Sequence, residues 1–442
     1  MRNTDCSSGR ARLSHRAVFA IALPVIFSNV STPLIGVVDT AVVGRLPDPA
    51  YIGAVAVGAL IFTSLFWAFG FLRMGTTGLT AQALGADNRD EILASLGRAL
   101  LIAACVGVAL ILLQWPIREI AFALLEGTET VEALAREYFD VRIWAAPAAL
   151  ANYALLGWFI GLGRTGIALL LQLVLNITNM MLDVLFVLVF DWGVRGVALG
   201  TLIAETLAML VGLVFALLQA RALHAHWKRS SLLSRERLKR TLAVNRDIMI
   251  RSLALIVVFI WFVAQGARQG DVTLAANAVL MQFISVSAYF LDGLAFAAEA
   301  LVGRAVGAAH RPGLIAAARL TTLWAVGFAS IAAGAIAILG PTFIDALTVD
   351  EATRATARAY LPWVVAAPLL GVWAFQLDGI FIGATRTVEM RNAMLLSLVI
   401  FLVAWWLLTP WANHGLWAAF NVHYLARSVT LAYYTPRLLE GL

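Results

Sequence analysis

The chain has 442 residues, 61% of them hydrophobic and only 13% charged, and its mean hydropathy is +0.86. Because soluble domains carry about 25% charged residues, this composition excludes a soluble globular protein and predicts an all-α integral membrane protein. The formal net charge of +6 would suit a nucleic-acid partner, but the positions of the basic residues favour a role in membrane orientation, and we expect no nucleic-acid binding.

Twelve apolar runs, each long enough to cross a bilayer as a helix, follow a polar stretch over residues 1–16. The runs cover residues 17–44, 51–74, 92–115, 138–161, 165–190, 196–220, 248–267, 273–300, 315–341, 359–383, 392–411 and 415–436. The sequence therefore predicts twelve transmembrane helices, six in an N-lobe over 17–220 and six in a C-lobe over 247–442.

Positive charges mark one side of this predicted membrane protein. The linker 221–246 is the most basic and least apolar stretch of the chain, and arginines also follow the second, fourth, eighth and tenth runs. The connections after the third and ninth runs are acidic instead. By the positive-inside rule, the linker, the retained tail 1–16 and both termini are predicted to lie in the cytoplasm.

A repeat with a steady offset divides the chain into two halves. The word Ala-Leu-Gly-Ala at 83–86 recurs as Ala-Val-Gly-Ala at 305–308, an offset of 305 − 83 = 222. Ala-Ala-Pro at 145–147 recurs at 366–368, an offset of 366 − 145 = 221. Because six helices are an even number, both halves enter the membrane from the same side. The repeat is therefore parallel, and it predicts two six-helix bundles around a central cavity.

The first run carries an unusual acid, Asp39, at the end of a polar stripe on an otherwise apolar helix. A charged carboxylate near the middle of a membrane helix costs about 2.5–3.5 kcal/mol on insertion scales, so Asp39 is expected to face protein or water. Pro24 and Pro33 remove backbone donors and predict a bendable helix. Under the 222-residue offset the counterpart of Asp39 is Trp261, so the acid is specific to the N-lobe.

The fifth and sixth runs contain further polar side chains. Asn176, Asn179 and Asp183 share one helix face, and Thr201 and Glu205 lie one turn apart. Buried carboxylates that lie close together cannot all ionise, so at least one of them would hold a proton near neutral pH and could carry it across the membrane. In the alternative interpretation each carboxylate is a structural hydrogen-bonding group between helices. Na⁺ is the rival coupling ion, because Asp, Asn and Thr oxygens are ligands for hard cations.

Polar and aromatic groups inside the runs of both halves are candidates for lining the central cavity. They are Asn152, Asn176, Trp261, Tyr289, Asp292 and Asp378. Helix packing is the alternative role for each of them, and a cytoplasmic gate is a further alternative for Asp292 and Glu299.

Signatures of enzymes, cofactors and metal sites are missing from the sequence. The six histidines lack the spacing of metal ligands, and the two cysteines, Cys6 and Cys105, lie in different environments. The glycine-rich turn at 161–166 lacks the Lys-Ser/Thr ending of a phosphate-binding loop. We therefore expect no enzymatic activity, no cofactor, no bound metal and no use of ATP.

Several short motifs, taken in their order and spacing, carry a resemblance to a known family: Pro24, Val37–Gly44, Ala83–Ala86, Asn179 with Asp183, and Leu377–Ala384. Over essentially the whole chain the sequence resembles the multidrug and toxic compound extrusion (MATE) family, specifically its DinF branch. This resemblance implies a bacterial inner-membrane protein that exports amphipathic, often cationic organic compounds in exchange for H⁺ or Na⁺.

The resemblance also implies roles for particular residues. In DinF-like members the N-lobe acidic pair is held to be the proton site, which falls here on Asp39 and Asp183, with Asn179 and Thr201 beside them. Bending of the first helix at the position of Pro24 is linked there to protonation. Two departures matter: some relatives have a Tyr where this chain has Ile35, and Glu205 has no counterpart that can be carried over. Other branches use acids in the seventh and tenth helices; this chain has Trp261 in the seventh helix but keeps Asp378 in the tenth.

The sequence thus predicts a proton-coupled antiporter that works by alternating access, as a monomer surrounded by membrane lipids. Small organic cations are the expected substrates, and Asp39 is the central protonation site with Asp183, Asn179, Thr201 and Glu205 around it. A Na⁺-coupled exporter of the same family and a flippase for lipid-linked substrates are the alternatives. The flippase would need a strongly cationic cavity, whereas the charges noted inside the runs are mostly acidic.

Overall fold

The structure is a computed structural model, and it describes residues 14–46, 48–125, 128–225, 232 and 234–440. Its α-helices are α1 (His15–Val43), α2 (Ala50–Trp67), α3 (Phe71–Gly85), α4 (Arg89–Leu112), α5 (Gln114–Leu124), α6 (Glu129–Arg142), α7 (Ala146–Gly161), α8 (Thr165–Asp183), α9 (Gly193–Ala222), α10 (Arg235–Ala267), α11 (Asp271–Gly307), α12 (Arg311–Leu347), α13 (Glu351–Gly383), α14 (Thr387–Leu408) and α15 (Ala412–Leu439). Single 3₁₀ turns follow α6 and α14, and a π-helical turn follows α8.

Eleven segments of the described chain are apolar and long enough to span a membrane. Two of them, Ala50–Gly85 and Glu129–Gly161, are each made of two consecutive helices. The last one, Thr387–Leu438, has 52 residues, which is about 78 Å of helix and too long for one crossing. Its helices α14 and α15 pack side by side after a turn in which Ala412 has a positive φ of 48°. The described chain therefore makes twelve crossings, as predicted, and α5 is an additional short helix that the sequence analysis missed.

Polar caps fix the ends of several helices. The side chain of Asn88 accepts a hydrogen bond from the backbone of Glu91 at the start of α4. Asp350 caps α13, where it accepts hydrogen bonds from the backbone N–H and the hydroxyl of Thr353, at 2.7 and 2.6 Å. These two hydrogen bonds hold the pKa of the Asp350 carboxyl below its ordinary value. Both caps lie where helices leave the apolar part of the bundle, so they satisfy backbone donors at the bundle ends.

The two ends of the bundle differ in charge. The end that carries the connections after α3, α7, α9, α11 and α13 is called the basic end, and the opposite end, which carries α5, is called the acidic end. The predicted linker 221–246 belongs to the basic end, although residues 226–231 and 233 lie outside the described part of the chain. Of the predicted tail 1–16, only 14–16 are described.

The N-lobe (α1–α9) and the C-lobe (α10–α15) approach each other most closely at the basic end. A Cβ atom on Gly85 of α3 would lie 2.0 Å from the carbonyl oxygen of Arg304 in α11, and one on Gly307 of α11 would lie 2.0 Å from that of Gln82 in α3. The repeat relates both pairs, since 307 − 85 = 222 and 304 − 82 = 222. This reciprocal contact is the one expected for a parallel repeat with its axis along the membrane normal.

The lobes separate toward the acidic end. Among the described residues, every hydrogen bond and ion pair between the lobes lies between mid-depth and the basic end. The one farthest from the basic end joins the amide of Asn29 in α1 to the carbonyl of Tyr289 in α11, at 3.3 Å. A cavity of about 220 Å³ lies between the lobes and is lined by residues of α2, α3, α10, α11, α13 and α15. The predicted central cavity is therefore present and is closed toward the basic end.

Candidate functional site

Two carboxyl groups meet inside the N-lobe, Asp39 from α1 and Asp183 from the end of α8. Asp183 is fully buried, and neither of its carboxyl oxygens has a normal hydrogen-bond partner among the described residues. The backbone of α9 lies close to it, because a Cβ on Gly200 would stand 2.5 Å from Asp183 Oδ1. The π-helical turn Val184–Val189 begins at the next residue, and such turns frequently mark functional positions. The structure therefore brings together the two acids that the sequence analysis paired.

Amide and hydroxyl groups surround the acidic pair on the same helices. Asn179 of α8 donates a hydrogen bond to the hydroxyl of Thr201 in α9, at 3.1 Å. Asn176 donates to the hydroxyl of Ser31 in α1, at 2.9 Å, and accepts from Gln172 at 2.8 Å. These bonds join α1, α8 and α9 into one polar layer. Asn176 thus lies between helices of the N-lobe, and the predicted partners Asn179 and Thr201 lie beside the acids.

Glu205 lies in a different environment from the acidic pair. Its carboxylate accepts a hydrogen bond of 2.5 Å from Arg142 at the end of α6, and both side chains are buried. The amide of Asn152 donates to the backbone carbonyl of Glu205, at 2.9 Å. The Arg142 guanidinium also lies 5.4 Å from the ring centre of Phe62. The structure therefore pairs Glu205 with Arg142, a charged residue that the sequence analysis overlooked, and the predicted roles of Glu205 and Asn152 stay predictions.

The C-lobe has two indoles where the N-lobe has its two acids. The repeat relates Asp39 to Trp261 and Asp183 to Trp405, since 261 − 39 = 222 and 405 − 183 = 222. Trp261 and Trp405 pack edge to face, with ring centres 5.0 Å apart. The same layer of the bundle thus holds an acidic pair in one lobe and an aromatic pair in the other. Trp261 is accordingly part of the C-lobe packing and does not line the described central cavity.

The helix that carries Asp39 also contacts the C-lobe. Helix α1 stays helical through Pro24 and Pro33. Close to Pro24, Ile26 packs on α11, where a Cβ on Gly293 would lie only 2.3 Å from its side chain. One turn farther along, Asn29 makes the hydrogen bond to α11 described above. Helix α1 therefore contributes to the acidic pair and also contacts the C-lobe.

Charged side chains line the floor of the central cavity. Asp378 of α13 is held by two arginines, Arg427 of α15 at 2.5 Å and Arg251 of α10, and both contact the same carboxylate oxygen. All three side chains are buried. Asp378 therefore lines the cavity as predicted, with its charge already neutralised by protein groups.

A second ion pair on the cavity floor crosses between the lobes. Arg73 of α3 contacts Glu299 of α11, with Nη1 and Oε2 3.2 Å apart, and its guanidinium lies 3.8 Å from the ring centre of Phe296. Asp292, two turns before Glu299 on α11, lines the same cavity, whereas the side chain of Tyr289 does not line it. The sequence analysis predicted Asp292 and weighed Glu299 as a gate, but it overlooked the arginines.

The arginines change the electrostatic description of the cavity. Arg73, Arg251 and Arg427 all lie in predicted apolar runs, so the sequence marks them by the same signal as the acids, a charged residue inside an apolar run. If all groups are ionised, the three arginines balance Asp292, Glu299 and Asp378. The cavity has no excess positive charge, and a lipid-linked pyrophosphate would find no cationic pocket there.

A bundle of twelve crossings in two repeated lobes, closed at one end around a charged cavity, is the architecture of a secondary transporter. A family model described as MatE matches residues 24–185 and 248–407, one stretch in each lobe. The chain therefore belongs to the MATE family. Its 42% identity to DNA damage-inducible protein F of Escherichia coli places it in the DinF branch of that family. Members of this family are transporters and not enzymes.

The chain is 42% identical over 427 residues to DNA damage-inducible protein F of Escherichia coli (strain K12), which covers 95% of this chain and 91% of that protein. It is 24% identical over 407 residues to the probable multidrug resistance protein NorM of Acinetobacter baylyi, which covers 89% of this chain and 87% of that protein. The many apolar helices and these bacterial relatives indicate a multi-pass protein of the bacterial inner membrane.

Solved structures share the fold at low sequence identity. An outward-facing multidrug resistance MATE transporter superposes with a TM-score of 0.88 at 16% identity, over 100% of this chain and 99% of that one. A MATE structure in a straight conformation gives 0.87 at 19% identity, over 97% of this chain and 96% of that one. The bent conformation gives 0.86 at 19% identity, over 97% of each chain. The similarity is therefore one of fold.

Proposed function

We propose that the protein is a secondary active antiporter that exports amphipathic, often cationic organic compounds in exchange for protons. The observation that carries this proposal is the pair formed inside the N-lobe by the half-buried Asp39 and the fully buried Asp183. Two carboxylates in contact inside an apolar lobe repel each other if both are charged, so the pair holds a proton and gains or loses another as the site opens to either side. Proton exchange at one buried position is what coupling to a proton gradient requires.

The available driving force suits such an exchange. One proton moving down 100 mV releases about 2.3 kcal/mol, and each unit of pH gradient adds about 1.4 kcal/mol. Protonation removes the charge of the pair, and α1 carries this change to the C-lobe through its contacts near Pro24. In the proposed cycle, Pro24 is the hinge at which α1 bends when Asp39 is protonated, the N-lobe space shrinks and the substrate leaves.

The basic end is proposed to face the cytoplasm, together with the linker and both termini. The positive-inside rule supports this orientation, and the closed contacts of the lobes then lie on the cytoplasmic side. We accordingly assign the described conformation to the outward-facing state. Because one chain contains both lobes and the cavity, a monomer is sufficient for the cycle.

Na⁺ is the second candidate for the coupling ion. The oxygens of Asp39, Asp183, Asn179 and Thr201 could also serve as ligands for a hard cation. The protein reconstituted in liposomes with a fluorescent cation such as ethidium separates the two ions, because ΔpH and ΔNa⁺ can be imposed independently. We expect efflux with ΔpH alone; efflux driven only by ΔNa⁺ would replace the proton by Na⁺.

The same assay tests the acidic pair. Asp39→Asn and Asp183→Asn keep the side-chain shape and remove the titrating group, so each is expected to reduce ΔpH-driven efflux to the level of empty liposomes. Asp271→Asn, at an exposed position at the start of α11, is the matched control and should transport like the wild type. Normal efflux by Asp39→Asn would rule out this assignment of the proton site.

A further inference from the structure

The C-lobe side of the cavity floor has an unbalanced set of charges. Its charged lining residues are Arg251, Arg427, Asp292, Glu299 and Asp378, which sum to +2 and −3 when all are ionised. Both arginines contact Asp378. The C-lobe therefore leaves one negative charge near Glu299 and Asp292 without a counterion of its own.

The missing positive charge comes from the other lobe. Arg73 is the one charged N-lobe residue among the described residues that line the cavity. It contacts Glu299 at 3.2 Å, where its side chain is 14% exposed and that of Glu299 is 2% exposed. The repeat places Ala295 at the position equivalent to Arg73, since 295 − 73 = 222, so no C-lobe arginine makes the reciprocal contact.

Each partner is fixed to its own lobe. A Cβ on Gly157 of α7 would lie 2.3 Å from the carbonyl oxygen of Arg73, which shows how tightly α3 packs on the N-lobe. In the same way, a Cβ on Gly379 of α13 would lie 2.4 Å from the carbonyl oxygen of Ala295 in α11. Opening the lobes at the basic end would separate α3 from α11. The ion pair therefore forms in the described state and breaks in the opposite one.

Breaking this pair has a cost that something must offset. A buried carboxylate left without its partner loses several kcal/mol relative to the paired state. Glu299 lies eight residues before the end of α11, about 12 Å from the basic end, so it would face the opened cavity. A cation that enters from that side can replace the guanidinium.

We propose that Glu299, with Asp292 on the same face of α11, binds the charged group of a cationic substrate when the basic end is open, and that Arg73 displaces this group when the lobes close. This proposal rests on the proposed function, export of organic cations. Arg73 acts as a tethered competitor that is part of the protein. Because Arg73 reaches Glu299 only when the lobes close, closure of the basic end and release of the substrate occur together. The single charge that Arg73 replaces favours substrates with one accessible positive charge.

Binding of tetraphenylphosphonium to the purified protein tests the proposal, with neutral triphenylphosphine oxide as the uncharged comparison. Arg73→Gln removes the competitor, so the Kd for tetraphenylphosphonium should fall about tenfold, which corresponds to about 1.4 kcal/mol. Glu299→Gln should raise that Kd at least tenfold. Neither variant should change the Kd for the neutral compound more than about twofold, and Arg73→Lys should restore the wild-type Kd.

A matched control separates substrate displacement from a shift of the lobes. Arg237 of α10 contacts Glu91 of α4, an ion pair that also crosses between the lobes but lies outside the central cavity. Arg237→Gln should therefore leave the Kd for tetraphenylphosphonium near the wild-type value. If Arg237→Gln tightens binding as much as Arg73→Gln, the effect belongs to lobe opening and the proposal is wrong.

The double variant Arg73→Gln/Glu299→Gln tests whether weak binding of tetraphenylphosphonium by Glu299→Gln results from misfolding. Because Arg73 acts only through Glu299, the double variant should bind tetraphenylphosphonium as weakly as Glu299→Gln alone. Its unfolding temperature should be at least that of Arg73→Gln, because it leaves no buried carboxylate without a partner. Tight binding by the double variant would contradict the assignment of Glu299. If the wild type binds tetraphenylphosphonium and exports it in response to ΔpH, but both single variants keep the wild-type Kd, this inference is wrong and the proposed function stands. Absence of binding and efflux in the wild type would overturn the proposed function with it.

Discussion

Closure of the basic end depends on two glycines that let helix backbones touch, and Gly307→Ala tests this dependence. A Cβ on Gly307 would lie 2.0 Å from the backbone carbonyl oxygen of Gln82, whereas real Cβ atoms keep at least 3.0 Å from such an atom. Helix α11 would have to retreat from α3 by about 3.0 − 2.0 = 1.0 Å. Overpacking of this kind costs about 1–3 kcal/mol, and the cost falls on the closed state alone.

A penalty of about 1–3 kcal/mol shifts a two-state equilibrium about 5–150-fold, here toward the state open at the basic end. Spin labels at Ala86 and Ala308, exposed positions on opposite lobes, would report the change as a second, longer distance in electron–electron double resonance. Both native cysteines are replaced by serine in this background. Gly327→Ala in α12 is the control, because a Cβ there meets nothing within 4 Å. The same distance distribution in both glycine variants would refute the reasoning.

Two further predictions concern ion pairing and pH. Arg142→Gln leaves Glu205 buried without its partner, so it should destabilise the protein by about 3–5 kcal/mol and lower the unfolding temperature. The double variant Arg142→Gln/Glu205→Gln should recover most of this lost stability. Equal losses of stability in the single and double variants would contradict the pairing. The pKa of Asp350 in the folded protein lies below its ordinary value of 3.8. Its hydrogen bonds to Thr353 therefore stabilise the fold fully when the pH is above 3.8, and this stabilisation is lost as the pH falls through the pKa of the folded state. Asp350→Asn should flatten the dependence of the unfolding temperature on pH between about 3 and 5, and an unchanged slope would contradict the role of the cap.

The apolar runs were sufficient to predict the fold. Twelve crossings and a two-fold repeat follow from the lengths of the runs and from matches such as Gly85 with Gly307. The extra helix α5 was missed because its 11 residues, Gln114–Leu124, mix charged with apolar side chains at the membrane surface and so interrupt a search for long apolar runs. The domain boundaries at 220 and 247 stay predictions.

The acids were predicted better than their partners. Helical spacing puts Asn179 and Asp183 on one face, and the resemblance paired Asp183 with Asp39. Contacts between distant helices leave no comparable pattern, so the pairing of Arg142 with Glu205, 63 residues apart in sequence, could not be derived. The arginines of the cavity floor differ from Arg142 and Glu205 in this respect, because their positions inside predicted apolar runs are visible in the sequence.

Proton release on substrate binding tests the central claim most directly. Ethidium is added to the purified protein in weakly buffered detergent solution that contains a pH-sensitive dye. The account predicts that the wild type releases protons as ethidium binds, that Asp39→Asn and Asp183→Asn release markedly fewer, and that Asp271→Asn behaves like the wild type. Ethidium binding without proton release in the wild type, or equal release from Asp39→Asn, would contradict coupling at the acidic pair.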